Sequence, residues 1–167
     1  MSKHTILVVD DDEDILELMT SALKNKDHTI LTAKSGEEAL EKLKADEVNL
    51  VISDQQMSNM DGLSLLKKIK LEYPDIITIM LTGYAKVDTA MDAINEAGVY
   101  KFFAKPCSIE NIQTTVRRAL ELKHLIVDRD ILFEKIKGKE AVYKECERRH
   151  PGITHVKRDS EGYVLLG

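Results

Sequence analysis

The chain has 167 residues, of which 43% are hydrophobic and 32% are charged, so it can bury a core beneath a well-solvated surface. Its net charge of −5 and pI near 5.6 argue against a general nucleic-acid-binding surface. The two cysteines, Cys107 and Cys146, lack the spacing of a zinc site and are too few for a disulfide framework. The N-terminal apolar run is too short for a signal peptide, and no stretch reaches the ~20 apolar residues of a membrane helix. We therefore expect a cytoplasmic protein without a membrane partner.

Short apolar runs alternate with segments of helical periodicity along most of the chain. The apolar runs predict five strands, at residues 5–9, 28–33, 49–53, 76–81 and 100–103. The periodic segments predict helices at 12–26, after a capping box of Ser35 and Glu38, at 62–71, at 87–97, and from Ile109 with Ser108 as its cap. Because the strands are continuous apolar runs, both faces of the sheet should be covered. The predicted fold is α/β, with a doubly wound, five-stranded parallel sheet in the flavodoxin-like order 2-1-3-4-5.

Carboxylates follow the first and third strands, at the sheet edge where open α/β proteins bind ligands. Asp10 and Asp11 end the first strand and Asp54 follows the third, so the predicted strand order places them side by side. Like charges gathered at one edge are costly unless a cation neutralises them, and carboxylate oxygens suit Mg²⁺. The alternative is a solvated cluster at a helix N-terminus. That interpretation is preferred for the rest of the acidic run: Asp12, Glu13 and Asp14.

The fourth and fifth strands bring a hydroxyl and an ammonium group to the same edge. Thr82 ends the fourth strand, and Lys105 follows the fifth, where Pro106 makes a cis peptide bond an option. Taken alone, Thr82 would be a turn residue and Lys105 a solvated side chain. Together with Asp54 as a carboxylate nucleophile, the two groups suit phosphoryl transfer to an aspartate.

Four segments resemble the receiver domain of two-component response regulators. They are ILVVDDD at 6–12, VISDQQMSNMDG at 51–62, MLTGYA at 80–85 and FFAKPC at 102–107. The resemblance extends from residue 4 to about residue 122. It implies a signalling switch that accepts a phosphoryl group from a sensor histidine kinase or phosphotransfer protein and acts on a downstream protein target. It also implies that the chain is not an enzyme for other substrates and catalyses only its own phosphorylation and dephosphorylation.

The resemblance implies a role for each residue of the predicted site. Asp54 is the implied phosphoacceptor, and Thr82 and Lys105 are the implied switch hydroxyl and lysine at the phosphoryl group. Phe102 stands where the family has its switch aromatic, and core packing is the alternative for this side chain. The implied Mg²⁺ ligands are the carboxylates of Asp10, Asp11 and Asp54 and the backbone carbonyl of Gln56. The implied output surface comprises residues 86–97 and Lys101.

Two other interpretations of the site compete with a receiver. A small Mg²⁺-dependent phosphohydrolase could use the same aspartate nucleophile, but that class needs a second acid/base aspartate, commonly two residues further on. Gln56 occupies that position here. An inert module with a receiver-like fold is the second alternative. The chain also departs from the family pattern after the acceptor, where Met57 is followed by Ser58 instead of proline.

The last receiver helix is predicted to continue beyond the domain, so that residues 109–149 form one helix of about 60 Å at ~1.5 Å per residue. Apolar residues in steps of three and four form a heptad-like stripe, interrupted by Arg129 and Glu140. We predict coiled-coil-like homodimerisation, and the alternative is a break near Gly138 with the helix folding back. The predicted organisation is a receiver domain at 1–122, a helical extension at 123–149 and a short β-hairpin tail at 150–167.

Overall fold

A computed structural model of the chain describes residues 4–83, 97–149 and 151. The chain divides into two compact units, Met1–Lys123 and His124–Gly167. The predicted helix at 87–97, apart from Ala97, and the predicted hairpin tail, apart from Pro151, lie outside the described residues. None of the helices in the described part of the chain has the length and apolar composition needed to cross a bilayer.

The first unit contains a five-stranded parallel sheet, in which every strand is shorter than seven residues. Its strand order is β2-β1-β3-β4-β5, which confirms the predicted flavodoxin-like topology. The central pairing aligns Val9 of the first strand with Ser53 of the third, and Asp54 with Leu81 of the fourth. The strands are β1 (His4–Val9), β2 (His28–Ala33), β3 (Leu50–Asp54), β4 (Ile77–Thr82) and β5 (Lys101–Ala104).

Each of the first three helices begins at a side chain that accepts a hydrogen bond from the backbone of its first turn. Asp12 accepts from the Asp14 N–H before α1 (Glu13–Leu23), and Ser35 accepts from the Glu38 N–H before α2 (Gly36–Ala45). Asp61 caps α3 (Gly62–Glu72) in the same way. The predicted caps at Asp12 and Ser35 are therefore confirmed. Helix α1 ends at Leu23, three residues before the predicted limit, because the backbone of Lys24 is extended, with φ −65° and ψ 122°.

Apolar side chains of successive strand residues alternate between two cores, one on each face of the sheet. In β1, Leu7 and Val9 face the core covered by α2 and α3, whereas Ile6 and Val8 face the opposite core. That second core is covered by α1 and by the start of α4 (Ile109–Arg149). All four strand residues are at most 1% exposed. Both faces are covered, as the continuous apolar runs predict.

The last helix, α4, includes the full predicted range of residues 109–149. Within the first unit, it buries four residues against the sheet: Ile112, Val116, Ala119 and Leu120. Within the second unit, it continues through Gly138 without a break, so the predicted alternative of a helix interrupted near Gly138 is not observed. Apolar side chains of this second part are exposed, among them Ile126, Phe133 and Tyr143.

Replacing Gly138 with alanine is expected to stabilise α4. A Cβ at this position has no heavy atom within 4 Å, so the methyl group meets no steric obstacle. Alanine in a helix interior is favoured over glycine by about 0.5–1 kcal/mol, because glycine loses more backbone freedom on folding. Thermal melts followed by circular dichroism at 222 nm should show a higher midpoint for Gly138→Ala. A lower midpoint would contradict a continuous helix at this position.

Candidate functional site

Two carboxylates and one ammonium group meet where β1, β3 and β5 end. The Lys105 Nζ lies 2.8 Å from Oδ1 of Asp54 and 3.0 Å from Oδ2 of Asp10, so one lysine bridges both acids. Asp10 is 2% exposed and Asp54 is 5% exposed. Asp54 is the last residue of β3, whereas the sequence predicts it directly after the end of that strand. The sheet register thus brings together three residues that are separated by up to 95 positions in the sequence.

At this cluster, burial and charge pairing shift the pKa values of the side chains in opposite directions. Burial raises the pKa of Asp10, and the hydrogen bonds from the Asp12 N–H and from Lys105 only partly offset it. Burial would lower the pKa of Lys105, but its hydrogen bonds to Asp54 and Asp10 outweigh that effect and the pKa is raised. The lysine is therefore held in its charged form by two acids, whereas Asp10 shares its counter-charge with Asp54.

The raised pKa of Asp10 predicts a specific dependence of stability on pH. Because the pKa of Asp10 is higher in the folded state than in the unfolded state, protonation of Asp10 stabilises the fold. This stabilisation is complete below the ordinary pKa of 3.8 and is lost as the pH rises through the folded-state pKa. We expect Asp10→Asn to remove this loss and so to raise the free energy of unfolding at pH 7. Urea denaturation between pH 4 and pH 7 measures the effect, with the exposed neighbour changed in Asp11→Asn as control. An unchanged pH dependence in Asp10→Asn would contradict the assignment.

The backbone after β3 holds the Asp54 side chain in place. The Gln56 N–H donates to Oδ2 of Asp54 at 2.9 Å, while Oδ1 faces Lys105. The Gln55 N–H donates to the Leu81 carbonyl at 2.8 Å, which ties the loop to β4. Both carboxylate oxygens of Asp54 are therefore engaged in this structure, one by the backbone and one by a cation.

Gly62 supports the site in a way that the sequence analysis did not anticipate. It is buried at the start of α3, and its N–H donates to the Gln55 carbonyl at 2.9 Å. A Cβ at Gly62 would overlap the carbonyl oxygen of Asp54 and approach the Gln55 Cα to 2.9 Å. The sequence pattern predicts only a helix start at Gly62, because the carbonyl that a Cβ would meet belongs to Asp54, eight residues earlier in the chain.

The remaining predicted residues lie around this cluster at different depths. Thr82 ends β4 with 4% exposure, and its carbonyl accepts a hydrogen bond from the Lys105 N–H at 2.7 Å. Phe102 is half-buried, pairs in register with Met80 and packs against the core that α2 and α3 cover. Lys101 is exposed at the start of β5. The Lys105–Pro106 peptide bond is cis.

The predicted magnesium ligands are only partly assembled. Asp11 is exposed, and its Oδ2 lies 3.4 Å from the Ser58 N–H on the loop after Asp54. In residues 4–83 and 97–149, no three His, Cys, Asp or Glu side chains are grouped closely enough to hold a metal ion. Two buried carboxylates nevertheless share the Lys105 ammonium, so the cluster keeps an excess of negative charge and oxygen donors. This donor set fits a hard divalent cation such as Mg²⁺.

Comparison with known proteins identifies the family. The family model of the response regulator receiver domain matches residues 6–117. The chain belongs to this family. Receiver domains are phosphorylated by histidine kinases and generally bind Mg²⁺ at the phosphorylation site. The predicted resemblance is thus confirmed, and the comparisons do not favour the alternative of a phosphohydrolase.

Curated relatives of this receiver are much longer proteins. The transcriptional regulatory protein ZraR from Escherichia coli is 36% identical over 121 residues, which are 72% of this chain and 27% of ZraR. The C4-dicarboxylate transport transcriptional regulatory protein DctD from Rhizobium meliloti is 36% identical over 124 residues, which are 74% of this chain and 27% of DctD. The chain therefore matches about a quarter of the length of each of these relatives.

Solved structures agree with this receiver in fold. The signal receiver domain of an HD domain-containing protein from Pseudomonas fluorescens superimposes with a TM-score of 0.70 at 35% identity. The match covers 73% of this chain and 98% of that domain. NtrX from Brucella abortus, solved in complex with ADP, gives a TM-score of 0.71 at 32% identity, over 78% of this chain and 30% of NtrX.

Proposed function

We propose that this chain is the phosphorylated switch of a two-component system, with Asp54 as its phosphoacceptor. The observation that carries the proposal is the Lys105 ammonium, which lies within 3.0 Å of both Asp54 and Asp10 at the end of a receiver-type sheet. A carboxylate nucleophile needs no general base, and the Lys105 ammonium lies directly beside the carboxylate of Asp54, where phosphoryl charge would develop. The donor is a phosphohistidine of a sensor kinase or of a phosphotransfer protein.

The proposed reaction is a displacement at phosphorus. An Asp54 carboxylate oxygen attacks, the phosphorus–nitrogen bond of the donor breaks as the phosphorus–oxygen bond forms, and the histidine nitrogen takes a proton on leaving. Lys105 moves its hydrogen bonds from the Asp54 carboxylate to a phosphoryl oxygen. The Thr82 hydroxyl donates to another phosphoryl oxygen. The chain would catalyse this step and the later hydrolysis of the aspartyl phosphate by water, and no other reaction is proposed.

The proposed Mg²⁺ ligands are the side chains of Asp10, Asp11 and Asp54 and the backbone carbonyl of Gln56. The excess of buried carboxylate over ammonium at the cluster supports a cation there. When bound, Mg²⁺ neutralises negative charge on the phosphoryl group. A cation there would also offset the charge of Asp10, whose pKa burial raises and whose counter-charge from Lys105 is shared with Asp54.

The proposed signal is a change in the surface near β5. New hydrogen bonds from Thr82 to the phosphoryl group would draw the end of β4 inward, and Phe102 would turn further into the core beside Met80. Phe102 is half-buried in this structure, so turning inward would bury the part of its side chain that solvent now reaches. The output surface would include Lys101 and residues 86–97, and its downstream target is proposed to be a protein. The expected absence of nucleic-acid binding stays a prediction.

Intact-mass spectrometry after incubation with acetyl phosphate and Mg²⁺ tests the acceptor. We expect one phosphoryl group to be added to the wild-type chain and none to be added to Asp54→Asn. The same reaction with EDTA in place of Mg²⁺ should give no product. Asp61→Asn is the matched control, because Asp61 is a carboxylate on the same loop and serves as the cap of α3. This variant should still be labelled. Equal labelling of Asp54→Asn and wild type would overturn the proposal.

A further inference from the structure

The second unit exposes an apolar stripe on α4 that two charged residues interrupt. Six stripe residues recur in steps of three and four, so they lie along one face of the helix in heptad positions a and d. Ile126, Phe133, Ile136 and Tyr143 are 41–61% exposed. The other two are charged, Arg129 at a d position and Glu140 at an a position. Other exposed apolar residues lie off this face, among them Val127, Ile131 and Val142.

The two charges decide which partner fits the stripe. In a parallel pair of identical helices in register, each residue faces its own copy, so Arg129 would meet Arg129 and Glu140 would meet Glu140. Like charges forced together at core positions are strongly unfavourable, since each loses water without gaining a counter-charge. An antiparallel pair instead places an a residue opposite a d residue of the other helix. The charged pair can then be complementary.

We propose that a second copy of this chain covers the stripe in an antiparallel coiled coil, with the two helices crossing between Glu134 and Lys135. This arrangement places each Arg129 opposite Glu140 of the second copy. The same symmetry pairs the apolar residues with one another, Phe133 with Ile136 and Ile126 with Tyr143. Every core layer from residue 126 to residue 143 is then either apolar or a charge-complementary pair.

Flanking residues add to this complementarity. Asp130 would lie beside Lys137 of the second copy, at positions that border the core in an antiparallel pair. In the unpaired helix, Arg129 donates to the Asp130 carboxylate at 2.9 and 2.7 Å, and both side chains are about 60% exposed. In the proposed dimer, this contact between sequence neighbours is replaced by two contacts between copies, Arg129 with Glu140 and Asp130 with Lys137. One like-charged pair, Lys123 with Lys144, borders the core further out and works against the assembly.

Distances between copies distinguish the two orientations. Cys146 is exposed and carries a spin label in a Cys107→Ala background, so each chain has one label. In the antiparallel pair the two labels lie 23 residues apart along the axis, which is roughly 35 Å at ~1.5 Å per residue. In a parallel pair in register the helices lie about 8–10 Å apart, so the labels would be far closer. Double electron–electron resonance on the full chain should show the long distance, and a short distance would overturn the proposal.

Charge exchange tests the same pairing independently. Arg129→Glu and Glu140→Arg should each weaken the dimer, measured as its dissociation constant by sedimentation velocity, by at least about tenfold. The chain that carries both changes should return to within about threefold of the wild type, because opposite charges again face each other at positions 129 and 140. Lys135→Glu, off the stripe, is the control that should change little.

Two outcomes of the charge exchange would overturn the proposal. One is a wild-type chain that remains monomeric at about 100 µM, a concentration at which even a weak specific dimer is populated. The other is a double variant that dimerises no more tightly than the single variants. Neither outcome depends on phosphorylation of Asp54.

Discussion

Replacing Lys105 with methionine is expected to lower the free energy of unfolding by about 2 kcal/mol at pH 7. The change leaves Asp10 and Asp54, which are 2% and 5% exposed, without the ammonium that both contact. Removing one partner of a fully buried ion pair costs roughly 3–5 kcal/mol. The lysine side chain is 29% exposed, so solvent screens part of the interaction and the smaller figure applies.

Urea denaturation measures this loss, and a second variant isolates its cause. In Asp10→Asn with Lys105→Met, one of the two unpaired carboxylates is gone, so we expect at least half of the lost stability to return. Lys101→Met is the matched control, because Lys101 is an exposed lysine at the start of β5, the strand that Lys105 directly follows. It should change the free energy of unfolding by less than about 0.5 kcal/mol. Equal losses in Lys101→Met and Lys105→Met would show that the bridge to the acids is not the cause.

Gly62→Ala is expected to destabilise the receiver by about 3 kcal/mol and to abolish phosphorylation of Asp54. A methyl group here overlaps the carbonyl oxygen of Asp54, and that atom belongs to a buried strand that cannot shift freely. Overpacking of a buried site typically costs about 1–3 kcal/mol, and a clash with backbone belongs at the upper end. The carboxylate would move with its own backbone, away from the position opposite Lys105.

A second glycine provides the control for this substitution. Gly83 follows β4 at the same sheet edge, and the nearest heavy atom to a Cβ there is Oε1 of Gln56 at 3.9 Å. Gly83→Ala should therefore keep near-wild-type stability in urea. Labelling by acetyl phosphate, followed by intact mass, should be lost in Gly62→Ala and retained in Gly83→Ala. If Gly62→Ala were as stable and as readily labelled as wild type, the close packing against Asp54 would be disproved.

Some features of the site could be predicted because they depend on residues that are close together in the sequence. Continuous apolar runs predicted the five strands and their coverage on both faces. The alternation of strands and helices restricted the connections enough to predict the order of the sheet. The positions of Asp10, Asp54, Thr82 and Lys105 at strand ends followed from the same pattern, and the motifs around them identified the receiver family.

Other features depended on contacts that no local pattern contains. The sequence suggested Lys105 as a partner for a phosphoryl group, and its simultaneous contact with Asp10 and Asp54 emerged only from the register of β1, β3 and β5. The role of Gly62 was also hidden, because its neighbour in space is a carbonyl eight residues earlier in the chain. Asp11, predicted as a metal ligand beside Asp10, is exposed, since adjacent residues at a strand end point in different directions.

The sequence by itself determined the type, order and direction of the receiver elements that the structure describes, because periodicity and capping act over a few residues. Only the tertiary structure decided which charges pair and which backbone atoms touch at the acceptor, because those distances depend on how distant strands align. The stripe on α4 combines both cases. Its charged positions can be identified from the sequence, whereas the antiparallel pairing that we propose for them would require a second copy of the chain.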